Sequence, residues 1–319
     1  MKGFDAEYTD LPDYILKCTA RIWEGRDIAA LNWHYADSLI VRTPGGISRG
    51  NAAGKANTMA TLAEFPDRRL LGEDVIWCGD DEAGFLSSHR ILSTATHRGG
   101  AFGPATGRSV MFRTIADTFC RNNCVQDEWL IRDNAAIALQ LGSTARDTAR
   151  NMISGGNPDA PLTPGTDECG PYSGTGNDNL WGQRHSDILC RIFSADFGVI
   201  SREYDRACHV SLPGGEDVHG HPGIDRFWLG LRSAFPSADF RIVHQIGRED
   251  PMFSPRSAVR WTLTGRHDGW GRYGMPTGSE THVMGVSHVE FGPRGVRRET
   301  TLIDEVAIWK QILLKTGDC

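Results

Sequence analysis

The 319-residue chain has no long uninterrupted apolar run, no CxxC pair, no surplus of basic residues and no glycine loop in a phosphate-binding context. Each absence removes a class of protein. A membrane-spanning helix needs about 20 apolar residues in a row, and no stretch approaches that. The opening "MKGFDAEYTDLPDYILKC" carries acids where a signal peptide needs an apolar segment. With 34 Lys+Arg against 40 Asp+Glu and a pI near 6.0, no general basic field invites nucleic acid or an anionic membrane. The eight cysteines are scattered, the pattern of reduced thiols in a cytoplasmic protein. Cys120 and Cys124 flank the turn "CRNNC" and could meet across a hairpin, but that compartment argues against a functional disulfide. "GGAFGPATG" lacks the strand–loop–helix setting and lysine of a nucleotide loop. No Ser or Cys stands in a nucleophile elbow. "DVHGHPG" offers His219 and His221 without a third ligand nearby, so no metal is expected there.

What the chain does have is an internal repeat. "HRILSTATHRGGAFGPATG" aligns with "VRWTLTGRHDGWGRYGMPTG", setting Arg90 on Arg260 and His97 on His267, 170 residues apart. Phe65-Pro66 falls on Phe235-Pro236 at the same spacing, and Asp133 on Asp304 at 171. The chain reads as a tandem duplication with units at 8–142 and 184–316. Between them, 143–183 reads as a linker, because residues 154–179 hold six Gly and four Pro.

Each unit opens with helical patterning. Ile15, Cys18, Ile22 and Trp23 share one helical face, Gly25 closes that run, and Ile28, Leu31 and Tyr35 continue as a second helix. "GNAAGKANTMATLAEFP" is a further helix stopped by Pro66. Four longer β-like runs follow, which argues an α+β fold: helices first, then an antiparallel sheet. A turn at Asn122-Asn123 sets Asp117 opposite Trp129, and places Asp117, Trp129, Ile131 and Asp133 on one sheet face. A turn about Arg294 does the same for His288, Thr300, Leu302 and Asp304. Apolar neighbours mark these faces as interior, leaving Glu128 and Arg132 for solvent or a partner.

The order of helices, Pro-Gly-Gly turn, "FP", "RWTLTGRHDG…GMPTG", hairpin, E-W-x3-D and "LQLG" resembles the SnoaL-like polyketide cyclase family, within the nuclear transport factor 2-like, ketosteroid isomerase-like fold. Glu128, Trp129, Asp133 and "ALQLG" carry the match in the first unit, and the "RW…PTG" segment in the second. The resemblance implies two cones of curved sheet closed by helices. It implies a largely apolar pocket in each, and an aspartate at 133 or 304 that works as acid/base in aldol-type ring closure without metal or cofactor. The second unit departs from the pattern, with Thr300 where the first has Trp129.

The candidate catalytic residues are therefore Asp133, Asp304 and the inward His288. Candidates for binding substrate are Trp129, Trp23 and Trp261 as flat walls, with Arg90 and Arg260 as holders of an acidic or enolate oxygen. Each has a plainer alternative. Asp133 and Asp304 each precede a helix and could be N-caps, His288 a satisfied core histidine, the arginines surface or interface charges, and the tryptophans core. Asp117 is expected to pair with Arg113. The leading reading is an enzyme acting next to a carbonyl (cyclase, lyase or isomerase) on a small hydrophobic or aromatic compound. The alternative is a non-catalytic ligand-binding or assembly protein. Because such folds pair through their sheets, the units are expected to form an intramolecular pseudo-dimer, with further homo-oligomerisation open.

Overall fold

The computed structural model describes residues 1–156 and 161–317. Unit 1 begins with α1 (Leu11–Thr19), capped by Asp10, whose carboxylate accepts the Asp13 N–H. A π-turn (Ala20–Glu24) carries it to Gly25. The short α2 (Leu31–His34) runs straight into β1 (Tyr35–Thr43). Tyr35, expected in a helix, is thus the first strand residue. Then come β2 (Gly46–Arg49), α3 (Gly50–Glu64), β3 (Arg69–Asp80), β4 (Gly84–Thr96), β5 (Ser109–Arg121), β6 (Cys124–Arg132) and α4 (Asn134–Leu141). Pro66 disfavours helical backbone at Phe65, which leaves the helix with φ −128°. The β5–β6 hairpin turns on Asn122 and Asn123, both at positive φ, the type I′ geometry that Asn tolerates.

Unit 2 repeats the plan with α6 (Leu180–Phe193), α7 (Gly198–Glu203), β7 (Tyr204–Leu212), β8 (Glu216–His219), α8 (His221–Ala234), β9 (Asp239–Arg248), β10 (Arg256–Arg266), β11 (Glu280–Gly292), β12 (Gly295–Ile303) and α9 (Glu305–Thr316). The segment read as linker is not all loop. It holds α5 (Ala145–Ser154), opened by a Thr144 cap and packed through Ala149 on Val306 and Leu313 of α9.

Both sheets have six strands in the same order, β2-β1-β6-β5-β4-β3 and β8-β7-β12-β11-β10-β9. All neighbours are antiparallel except β1–β6 and β7–β12. The hairpin arithmetic holds: Asp117 pairs with Trp129 and His288 with Thr300. Each sheet wraps its own helices on one face and meets the other sheet on the opposite face. Ile115 and Ile131 pack there against Met284, Val286 and Leu302, and Ile76, Leu86 and Phe119 against Ile246 and Ala258. The face bearing Asp117, Trp129 and Ile131 is therefore buried between the units, while the inside of the cone belongs to the opposite face. Glu128, assigned to solvent or a partner on the sequence, is only 7% exposed and faces into the cone. The reason is that β5 and β6 are covered on both sides, so apolar neighbours no longer distinguish the two faces.

The cones are packed differently. Unit 2 has one continuous cluster of 28 buried hydrophobic residues. In unit 1 the apolar interior splits into clusters of 13 and 6, and a cavity lies among the side chains between.

Candidate functional site

The cavity of unit 1 has two lobes, of about 80 and 160 Å³, which share Trp23, Tyr35, Arg68, Glu128, Leu130 and Arg132 as walls. α1 and the π-turn supply Cys18 and Trp23, α3 supplies Asn57 and Thr58, and alternate residues of β4, β5 and β6 supply the floor. A lobe near 150 Å³ takes a benzene-sized body. Across the sheet the register runs Leu130–Ala116–His89, with Glu128 two residues further along β6. Strand spacing puts Glu128 and His89 about 12 Å apart at Cα, close enough for one ring compound to touch both.

The polar groups here are few and poorly paired. Among the described residues no donor reaches the Glu128 carboxylate, and burial alone pushes its pKa up to about 7. His89 is buried, its Nε2 has no partner, and burial pulls its pKa down to about 4, so the ring is neutral. Thr114 Oγ1 and Arg132 Nε also lack partners. Arg68 bonds only Ser93 Oγ, at 3.1 and 3.0 Å. Burial, reinforced by the nearby Arg132, lowers its pKa well below the usual value. A carboxyl poised near neutrality, a neutral imidazole and two guanidinium groups in one apolar cavity can take a proton from carbon. They can also hold the oxygen on which charge then develops.

The same positions in unit 2 are filled. Arg68, His89 and Arg132 correspond at offsets of 170, 170 and 171 to Ala238, Val259 and Ile303, and Ile91 and Thr58 to Trp261 and Trp228. Trp261 lies against Gly285, where a Cβ would meet its ring at 2.2 Å; the unit 1 counterpart of Gly285 is Thr114. The glutamate persists, as does the tyrosine that opens the first strand, Tyr35 in unit 1 and Tyr204 in unit 2. Glu299 is satisfied by Tyr204 Oη at 2.6 Å and Thr301 Oγ1 at 2.5 Å. Burial raises its pKa, and those hydrogen bonds oppose the rise.

Of the residues singled out on the sequence, the structure brings Trp23 alone into the unit 1 cavity. Asp133 caps α4 through Ala136 N–H (2.9 Å) and reaches across to unit 2, accepting Gly214 and Gly215 N–H at 2.9 Å each. Asp304 caps α9 through Val306 and Ala307 N–H and accepts Asn134 Nδ2 at 2.6 Å. Burial lifts each carboxyl to about 6 against the opposing pull of those bonds. His288, fully buried, donates from Nε2 to Ser88 Oγ of unit 1 (2.7 Å), which in turn donates to Asp117 (2.5 Å). Asp117 pairs across the junction with Arg260 at 2.6 Å, not with Arg113, which Glu73 holds together with Arg90. Trp129 sits outside the cone under Arg260, and Trp261 is core, its Nε1 donating to Ser287 Oγ. His219 stacks on His209, and His221 Nε2 contacts Tyr204 O. No group of three metal-binding side chains occurs among the described residues. The cysteines described are free thiols, and no helix among the described residues is long and apolar enough to cross a membrane.

Sequence reasoning missed Glu128, His89, Arg68 and Arg132. One signal was available: the repeat alignment sets Glu128 on Glu299, and an outward residue has no reason to recur.

Residues 14–141 match the family described as SnoaL-like polyketide cyclase, and residues 180–295 the one described as SnoaL-like domain. Among solved structures, a SnoaL-like polyketide cyclase from Agrobacterium tumefaciens is 22% identical, with 41% of this chain and 97% of that one covered and a TM-score of 0.34. IdmH from Streptomyces antibioticus is 23% identical over 40% and 97%, with a TM-score of 0.34. TsrD from Streptomyces laurentii is 18% identical over 40% and 92%, with a TM-score of 0.36. A search of curated proteins found no match.

Proposed function

We propose that this chain, which belongs to the SnoaL-like polyketide cyclase family through unit 1 and carries a SnoaL-like domain as unit 2, is an acid/base enzyme whose chemistry takes place in unit 1 alone. Its substrate is a small hydrophobic or aromatic carbonyl compound. Glu128 takes a proton from the carbon next to the carbonyl. His89 and the Arg68–Arg132 pair hold the enolate oxygen that results, and Trp23 walls the ring. The enolate then closes on a second carbonyl, expels a leaving group or is reprotonated elsewhere, which are the cyclase, lyase and isomerase outcomes. These residues move and hold protons by themselves, and the proposal calls for no cofactor. Unit 2 serves as the intramolecular partner that covers the outer face of the unit 1 sheet.

One observation carries this reading: an unpaired carboxyl, raised to about 7, faces a cavity. A general base works best with a pKa near the operating pH. The test follows solvent-deuterium exchange at carbon by NMR across a panel of aryl ketones and 1,3-dicarbonyl compounds. The wild type should exchange one of them catalytically, Glu128→Asp more slowly and Glu128→Gln not measurably. Full exchange by Glu128→Gln would remove Glu128 from the mechanism, and absence of exchange by the wild type across the panel would return the chain to the ligand-binding class.

A further inference from the structure

Part of the outer face of the unit 2 sheet is left uncovered by unit 1. Alternate residues of β9, β10 and β11, among them Val243, Arg260, Thr262 and Met284, open onto a groove of about 380 Å³. Leu162 to Asp167 roof it, and Trp129 closes its inner end. This volume lies within the range of small-molecule sites and exceeds either lobe of the unit 1 cavity. The groove is also on the opposite side of the sheet from the cone interior.

Its inner wall is a stack. Two guanidinium groups lie over the Trp129 ring, Arg260 at 3.9 Å and Arg42 at 4.6 Å from the ring centroid. Arg260 is 3% exposed, gives one hydrogen bond from Nη1 to Asp117, and has an Nε without a partner. A buried donor left unmatched is costly, and the other unit shows how the same place is satisfied. Arg90, the counterpart of Arg260, is held by Glu73 at 3.1 Å, which also holds Arg113 at 3.0 Å. The residue 170 positions after Glu73 is Val243. Unit 2 has therefore kept the arginine, lost the carboxylate and gained a groove. The acids at the rim do not replace it, since Asp167 is paired with Arg42 at 2.6 Å and Asp239 with Arg241 at 2.5 Å.

We propose that this groove is a second binding site, specific for a small aromatic carboxylate. The ligand's planar body lies against Leu162, Pro164 and Met284, and its carboxylate takes toward Arg260 the part that Glu73 plays toward Arg90. Guanidinium and carboxylate suit one another as planar, charge-assisted partners. The site is independent of the acid/base chemistry in unit 1.

Isothermal titration calorimetry of the full chain with 2-naphthoate tests it. Saturable binding to one site is expected, about tenfold weaker for 2-naphthamide, which has the shape without the charge. Val243→Glu rebuilds the unit 1 arrangement by giving Arg260 an internal carboxylate, and Thr262→Tyr fills the groove. Each should weaken binding at least about tenfold while far-UV circular dichroism stays unchanged. Ile91→Trp, which fills the unit 1 cavity, should leave it unaltered. The proposal is overturned by absence of saturable binding, by equal affinity for the amide, by binding that survives both groove variants, or by loss of binding in Ile91→Trp.

Discussion

Units 1 and 2 share a strand order, a Pro-Gly-Gly turn and a glutamate on the inner face of the strand before the last helix, and their interiors have diverged. In unit 1 the groups around that glutamate are arginine, histidine and small residues, and a cavity remains. In unit 2 the same positions carry Trp228, Trp261, Val259, Ala238 and Ile303, and the cone is solid. A carboxyl next to a cavity has nothing to donate to it and stays near neutrality, whereas Glu299 is fixed by a tyrosine and a threonine. Duplication lets the two needs separate: unit 2 contributes stability and a covered sheet, and unit 1 keeps an interior with unpaired polar groups, which costs stability.

The largest expected contrast is catalytic. Glu128→Gln should reduce exchange or turnover by about 10²–10⁴-fold, while Glu299→Gln should change it less than about threefold, as measured by steady-state rates on whichever panel compound reacts. The next is in packing. Trp261→Ala should destabilise unit 2 by about 3–5 kcal/mol. Ile91→Ala beside the existing cavity should cost unit 1 only about 2 kcal/mol, the low end of that class of substitution. Urea melts report both.

The sequence makes the duplication and both hairpin registers legible, because the turns at Asn122-Asn123 and about Arg294, Pro stops and β-rich runs are local signals. It does not reveal which face of β5 and β6 lines a pocket. Ile115 and Ile131 look like a cone interior, yet they pack against Met284, Val286 and Leu302 of the other unit. Once a second sheet covers the first, both faces are buried, and a one-face rule selects the wrong set. Asp133 and Asp304 illustrate the same limit. Each is buried at a strand–helix junction as read, but Asp133 clasps two backbone N–H groups of the opposite unit's turn, a partner that no local pattern announces.

Charge gives a third contrast. The Glu128 carboxyl is near 7 in the fold against an ordinary value of 4.5, so folding disfavours its charged form. The penalty is absent below about pH 4.5, grows between 4.5 and 7 and is complete above, where it amounts to about 3 kcal/mol. Glu128→Gln should therefore stabilise the protein by about that amount at pH 8 and hardly at all at pH 4.5, by thermal or urea unfolding. The smallest contrast concerns the junction. Asp133→Asn leaves a backbone N–H of the Gly214–Gly215 turn unmatched and should cost about 1–3 kcal/mol. Asp304→Asn loses its cross-unit partner Asn134, a side chain free to turn to water, and should cost about 1 kcal/mol.

The central claim is that one glutamate of the repeated pair is held ready to exchange protons and the other is not. The direct measurement is a pH titration of the carboxyl signal of Glu128, by difference infrared spectroscopy of wild type against Glu128→Gln. A midpoint near 7 is predicted. A midpoint at the ordinary value, near 4.5, would contradict the account.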